Sequence, residues 1–142
     1  MEYVVADCTN MPEFEDNSYD VVIDKSTIDA LLCGESSFIM TAKMMKEIQR
    51  ILKVGGVYIA ISYGDPDSRQ FHFEREFLSW DIKLYKMFYN EKDLKKEEGK
   101  NDSEDADPKI HYVYVCTKRK DADYVSKMNY KLVLRQLELE EE

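Results

Sequence analysis

The chain has 142 residues, 44% hydrophobic and 35% charged, a balance that predicts one globular domain with a core of its own. A formal net charge of −9 disfavours nucleic acid as a partner and points to a basic protein or peptide instead. No apolar run reaches the roughly 18–20 residues needed to cross a bilayer, and the start at Met1–Val5 has neither the basic region nor the cleavage site of a signal peptide, so the expected location is cytoplasmic or nuclear, away from membranes.

Tyr3–Ala6 is a β-branched and aromatic run that reads as a first strand, stopped by Asp7-Cys8-Thr9-Asn10. Turns are expected at Met11–Phe14 and Asp16–Ser18. Tyr19–Asp24 reads as a second strand, and its continuous apolar middle predicts burial on both faces, as in a parallel sheet. Ser26 is placed to cap a short helix over Thr27–Leu32, with Gly34 as its stop. A long helix opens at Ser36 or Ser37, carries Met40, Met44, Ile48, Ile51 and Leu52 at helical spacing, and is expected to end at Gly55-Gly56. Val57–Ser62 is a third buried strand, followed by a loop at Tyr63–Asp67 and a short helix or irregular turn over Ser68–Phe77.

Trp80–Phe88 and Ile110–Lys118 alternate as two arms of a hairpin. Between them, residues 90–108 are rich in Lys, Glu and Asp, and that composition predicts an unstructured insertion. Residues 119–142 form a helical or extended tail, with a helix expected over Asp121–Tyr130 and leucines that need a surface to pack on. Cys8, Cys33 and Cys116 are far apart and form no CxxC pair, so they read as small apolar residues, and no metal site is expected.

Strands separated by helices pair in parallel through right-handed crossovers, and a closing hairpin adds antiparallel strands. The expected fold is therefore α/β, mostly parallel, with a C-terminal antiparallel hairpin. In such sheets ligands bind beyond the carboxyl ends of the strands. Three of those ends are polar here: Asp7-Cys8, Asp24-Lys25-Ser26 and Tyr63-Gly64-Asp65.

Several segments carry a family resemblance. Val4–Phe14 resembles the third-strand segment of class I S-adenosylmethionine-dependent methyltransferases, Asn17–Lys25 their fourth strand, and Glu47–Gly56 the helix end before their fifth. Asp24-Lys25-Ser26-Thr27-Ile28-Asp29-Ala30-Leu31-Leu32 looks like a signature of the group that modifies lysine, or the N-terminus, of translation elongation factor 1-alpha. Val54 stands where the family usually has proline, and Ser26 where it usually has glycine. The family's first strand, its glycine-rich turn and the acid after its second strand have no counterpart, so residues 1–118 read as the C-terminal part of a partial Rossmann-like methyltransferase sheet.

The resemblance implies S-adenosylmethionine as cofactor and a protein lysine, such as one on an elongation factor, as acceptor. Asp7 would accept from the adenine amino group and Cys8 would offer its backbone N–H. Asp24 and Lys25 would lie near the methionine end and the acceptor, Asp29 would orient the acceptor amine, and Tyr63 would wall its channel. Asp7 and Asp29 could instead serve only to end a strand and to start a helix. A second functional class remains open: a non-catalytic, methyltransferase-like interaction module. With the family's first two strands missing from the sheet, Tyr3–Ala6 is expected either to collapse onto Tyr19–Asp24 or to be displaced, and chains to associate through the bare strand edge.

Overall fold

A computed structural model describes residues 1–97, 99 and 109–141. The apolar stretches pair into one four-stranded sheet in the order β1-β2-β4-β3, where β1 is Tyr19–Lys25, β2 Leu52–Ser62, β3 Trp80–Phe88 and β4 Ile110–Lys118. β1 and β2 run parallel, from Val21 beside Val57 to Lys25 beside Ile61. β4 lies antiparallel to both β2 and β3, and the β3–β4 pairing spans all of Trp80–Phe88 against Ile110–Lys118. The helices are α1 (Thr27–Leu32), α2 (Ser37–Ile51), α3 (Pro66–Phe73), α4 (Glu91–Glu97) and α5 (Ala122–Glu140). α4 occupies the first part of the segment read as an unstructured insertion, and most of the rest of that segment lies outside the described residues.

Two expectations are corrected. Tyr3–Ala6 forms no strand: residues 1–6 are exposed and lack regular structure, and only an isolated bridge joins Asp7 to Asn10. Propensity alone cannot hold a strand without a paired edge. Of the two alternatives, displacement is the one realised, and the sheet keeps a single parallel pair. Gly55-Gly56 does not end α2, which stops at Ile51 where Leu52 turns extended. The glycine pair sits inside β2 instead. Gly55 has φ +83°, and a Cβ on Gly56 would come within 2.8 Å of the Lys53 carbonyl oxygen and 3.0 Å of that of Asp20. The two glycines thus accommodate the irregularity between Tyr19–Leu52 and Val21–Val57, where the Gly56 backbone lies close to the Asp20 carbonyl.

The helices bury one face of the sheet. Tyr58, Ala60, Tyr114 and Cys116 pack there against Ile28, Met44, Met45 and Ile48, with Phe73, Phe77, Val133 and Leu137 closing the cluster. α5 runs well beyond the expected helix because Val133 and Leu137 find that core. Lys118 is buried, and its Nζ donates to the Leu52 carbonyl and Asn17 Oδ1 while pairing with Asp123, so one cation joins β4, β2, the β1 approach and α5. On the opposite face no helix among the described residues covers Val21, Ile23, Tyr85 or Met87, which are all about half exposed or more. The expected burial of β1 on both faces is therefore not found: only Asp24 of that strand is buried. No helix among the described residues is long and apolar enough to cross a membrane.

The N-terminal segment is anchored from Met11 onward by a buried pair on α2. Glu47 accepts from the Met11 N–H (2.7 Å) and from Arg50 Nε (2.6 Å), and Arg50 also donates to the carbonyls of Met11 and Phe14. Burial pushes the Glu47 carboxyl up, but the Arg50 and Met11 hydrogen bonds outweigh it and hold the group below its ordinary 4.5. A depressed carboxyl pKa contributes stability that is complete above the unfolded value and lost as pH falls through the folded one. Glu47→Gln should therefore cost about 1–3 kcal/mol near neutral pH. In urea titrations the gap to the parent chain should narrow toward about pH 3, and a gap of equal size at both pH values would contradict this assignment.

Candidate cofactor and acceptor site

β1 delivers Asp24 to the carboxyl rim of the sheet, and the chain then turns sharply into α1. Asp24 is buried, with Oδ1 accepting from the Thr27 N–H and Oδ2 from the Tyr58 hydroxyl, both at 2.8 Å. Asp24, rather than Ser26, caps α1, since the Ser26 side chain makes no cap bond. Burial and the neighbouring Asp24 charge push the Tyr58 phenol well up, so it stays protonated and donates.

Asp29 serves the next strand end. It accepts from the Ser62 hydroxyl, from the Tyr63 N–H at 3.0 Å and from Arg69 Nε at 3.1 Å. Burial raises its carboxyl, but these donors prevail and lower it. Asp29 thus joins α1, the end of β2 and α3. Tyr63 projects beyond that end, 57% exposed, with its ring 4.4 Å from the His111 ring.

Asp7 is exposed and turned on itself: its Oδ1 accepts from the Thr9 N–H (2.9 Å) and hydroxyl (2.7 Å), and these bonds lower its carboxyl. It lines a shallow cleft with Lys43 and Tyr130. Cys8, Asp24 and Lys25 line a different cavity of about 480 Å³, walled by Met11, Phe14, Met44 and Ile48 and by the outer side of β1. Cys8 is half-buried, and burial followed by the Asp7 charge raises its thiol. The structure therefore brings Cys8, Asp24 and Lys25 together, sets Asp7 beside them on a separate cleft, and commits Asp29 to the β2–α3 turn.

Two further residues meet at this rim. The Tyr89 hydroxyl and His111 Nε2 share a 3.0 Å hydrogen bond, with the rings 4.8 Å apart. The signal for His111 lay in the hairpin reading: antiparallel to β2, β4 starts where β2 ends, so its first residues must reach the carboxyl rim. Nothing in the sequence marks Tyr89, which follows the last paired residue of β3.

Ser26 has φ +67° and ψ 7°, a left-handed conformation that costs a side-chain-bearing residue roughly 1 kcal/mol. Its N–H is held by the Ile61 carbonyl at 2.9 Å, so the turn cannot relax without losing the β1–β2 register. Glycine at this position removes the strain but frees the unfolded chain. Ser26→Gly should raise stability by a few tenths to about 1 kcal/mol, read as a higher urea midpoint with unchanged slope; a lower midpoint would contradict the strain.

Residues 1–60 match the family model described as a methyltransferase domain. A methyltransferase of Neurospora crassa is 37% identical over 84 residues, which cover 56% of this chain and 35% of that protein. The human eEF1A lysine and N-terminal methyltransferase is 35% identical over 92 residues, 61% of this chain and 13% of that protein. A zebrafish mitochondrial citrate synthase-lysine N-methyltransferase is 31% identical over 75 residues, covering 52% of this chain and 30% of that protein. The chain thus spans about a third or less of the length of these relatives. Among solved structures, a putative DNA modification methylase of Thermus thermophilus superposes with a TM-score of 0.56 at 14% identity, covering 81% of this chain and 52% of that one. A SAM-dependent methyltransferase of Methanosarcina mazei gives 0.50 at 13%, covering 83% and 67%. Residues 1–60 thus resemble a methyltransferase domain, and the sheet is built like those of these two solved structures.

Proposed function

We propose that the chain supplies the acceptor half, and the adenine edge of the cofactor half, of an S-adenosylmethionine-dependent methyltransferase acting on a protein lysine in the cytoplasm. The observation that carries this reading is the continuity of the rim. The cavity lined by Cys8, Asp24 and Lys25 shares Lys25 with a second cleft, lined also by Tyr89 and His111. A cofactor side and an acceptor side thus adjoin at the end of β1. Names of the relatives support the acceptor, since several of them methylate lysine on eEF1A or citrate synthase. A translation elongation factor is the corresponding substrate, and the −9 charge suits a basic protein.

The residues present fit one end of the cofactor. The cavity wall of Met11, Phe14, Met44 and Ile48 is apolar, as an adenine ring requires, while Asp7, whose Oδ2 accepts no hydrogen bond among the described residues, lines the separate cleft beside it and would have to turn toward the cavity to meet an amino group. No glycine lines this cavity, so the close backbone approach expected at the methionine end is not supplied by these residues. When bound, the cofactor supplies an electrophilic methyl group. The chain's own residues then set geometry: Asp24 and Asp29 fix the two strand ends, Lys25 lies between the two clefts, and Tyr63 walls the acceptor side.

S-adenosylmethionine should bind this chain alone with a dissociation constant weaker than about 1 mM. Amide shifts in nuclear magnetic resonance spectra should concentrate on Cys8, Asp24 and Lys25, and Asp7→Asn should weaken binding by about fivefold. Tighter binding would show the site complete within these residues, while shifts elsewhere, or none, would overturn the cofactor assignment.

One observation favours a second reading, the interaction module. Among the described residues β1 pairs on one side only, and its outer edge leads onto exposed Val21 and Ile23. An unpaired edge with apolar neighbours recruits another strand. On this reading the chain self-associates through β1, and Ile23→Lys returns it to a monomer in sedimentation velocity runs; a monomer without any substitution removes the reading.

A further inference from the structure

Three carboxylates stand at the rim, and all three are spent on the scaffold. Asp24 holds the Thr27 N–H and the Tyr58 hydroxyl. Asp29 holds Ser62, Tyr63 and Arg69. Asp65 caps α3 through the Ser68 N–H. Asp24 and Asp29 thus have both oxygens engaged, and none of the three lines the two clefts at Tyr63 and Tyr89.

A different group faces the open space. Tyr63 and Tyr89 line a cleft of about 810 Å³ with Asn90, Lys109 and Ile110. Tyr89 also lines the neighbouring cleft of about 370 Å³ with Lys25 and His111. The His111 ring lies between the two tyrosine rings, at 4.4 Å from Tyr63 and 4.8 Å from Tyr89, and is itself buried. Burial and the Tyr63 hydroxyl both raise the Tyr89 phenol, so Tyr89 remains a neutral hydroxyl between Tyr63 and His111. Both tyrosines are more than half exposed, and neither is needed by the core.

We infer that Tyr63, Tyr89 and His111 form the subsite for the acceptor amine: the two tyrosine oxygens accept N–H bonds from a neutral primary amine, and His111 orients the Tyr89 hydroxyl by accepting its proton. That the ligand is an amine rests on the lysine methyltransferase reading. The tyrosines are the binding groups and His111 is a positioning residue. In the tautomer whose Nε2 accepts, the Tyr89 O–H points at His111 and the phenolic lone pairs are left for a ligand N–H. An amine that donates its N–H bonds to those oxygens keeps its own lone pair free for the methyl group.

The charges around the clefts select the same protonation state. Lys25 at the end of β1 and Lys109 before β4 line the two clefts, while Asp93 of α4 is occupied by the Lys109 backbone N–H. Two cations disfavour a third, so they lower the pKa of an incoming amine and favour the nucleophilic form. A quaternary ammonium, which aromatic faces alone would welcome, is opposed by the same two lysines.

The test uses n-butylamine and the ring signals of the two histidines in the intact chain. His72 is an internal reference: burial, then Arg75 and Arg69, lower it to about 4, so it stays neutral throughout. Near pH 10, n-butylamine should shift the His111 signals saturably and leave His72 unmoved, with weaker binding as pH falls and the amine protonates. Tyr63→Phe and Tyr89→Phe lie on the surface and keep the rings, and each should weaken the response by about tenfold. A His111 signal that ignores n-butylamine, or a Tyr63→Phe/Tyr89→Phe double variant that responds as the parent does, overturns the subsite. Tetramethylammonium binding better than n-butylamine would also overturn it. Failure of S-adenosylmethionine to bind beside Cys8 and Asp24, with the amine response intact, would overturn the cofactor assignment and leave the subsite standing.

Discussion

The hydrogen bond from the Tyr58 hydroxyl to Asp24 is the contact on which the rest of the rim depends. A buried carboxylate is expensive unless its oxygens are bonded, and each lost bond costs about 1–3 kcal/mol. Here one oxygen bonds across to β2 and the other forward to the first N–H of α1. The two parallel strand ends and the next helix are therefore held by a single side chain. That arrangement forces the sharp turn at Ser26, and the strain there is offset by Asp24 and by the Ser26–Ile61 backbone bond. Asp29 repeats the device one strand over, tying α1 to the β2–α3 turn.

The sheet meets the opposite condition at its other boundary. Among the described residues β1 has a partner only in β2, and the cavity lined by Cys8, Asp24 and Lys25 lies along its unpaired side. Apolar surface that the helices bury on one face is left uncovered on the other at Val21, Ile23 and Met87. The same absence of a neighbouring strand thus creates both the candidate cofactor cavity and the sticky edge. Binding and association compete for one surface, so occupancy by a further strand, by a ligand or by a second chain would each alter the other two.

Periodicity made the hairpin legible, because alternation over nine residues sets Tyr114 and Cys116 on one face of β4; which strand of the sheet β4 joins was not legible. The β1–β2 parallel pair was legible from the intervening helices, and the resemblance located Asp24, whose two hydrogen bonds give it its position. Tyr3–Ala6 misled because its composition reports what would suit a pleated surface and not whether an edge is there to receive it. Gly55-Gly56 misled for a related reason: glycine signals a special backbone geometry, but only the approach of Asp20 shows that the geometry is a strand irregularity and not a helix stop. Tyr89 was invisible because its meeting with His111 depends on the β3–β4 register and on its own place just beyond it.

Charge acts at two distances in this molecule. From afar the chain carries −9 and attracts basic partners, an effect that fades over the roughly 8 Å screening length of physiological salt. At the rim the charged residues that line the two clefts are Lys25 and Lys109, while Asp24, Asp29 and Asp65 bond to the scaffold beside them. On the proposed reading, a protonated lysine side chain would be drawn toward the acidic molecule and would then lose water beside Lys25 and Lys109, which oppose its charge. The scaffold role of Asp24 and Asp29 and the lining of the clefts would then be linked: with their oxygens engaged by the scaffold, these carboxylates would offer the amine no direct hydrogen-bond partner, and the tyrosine oxygens would.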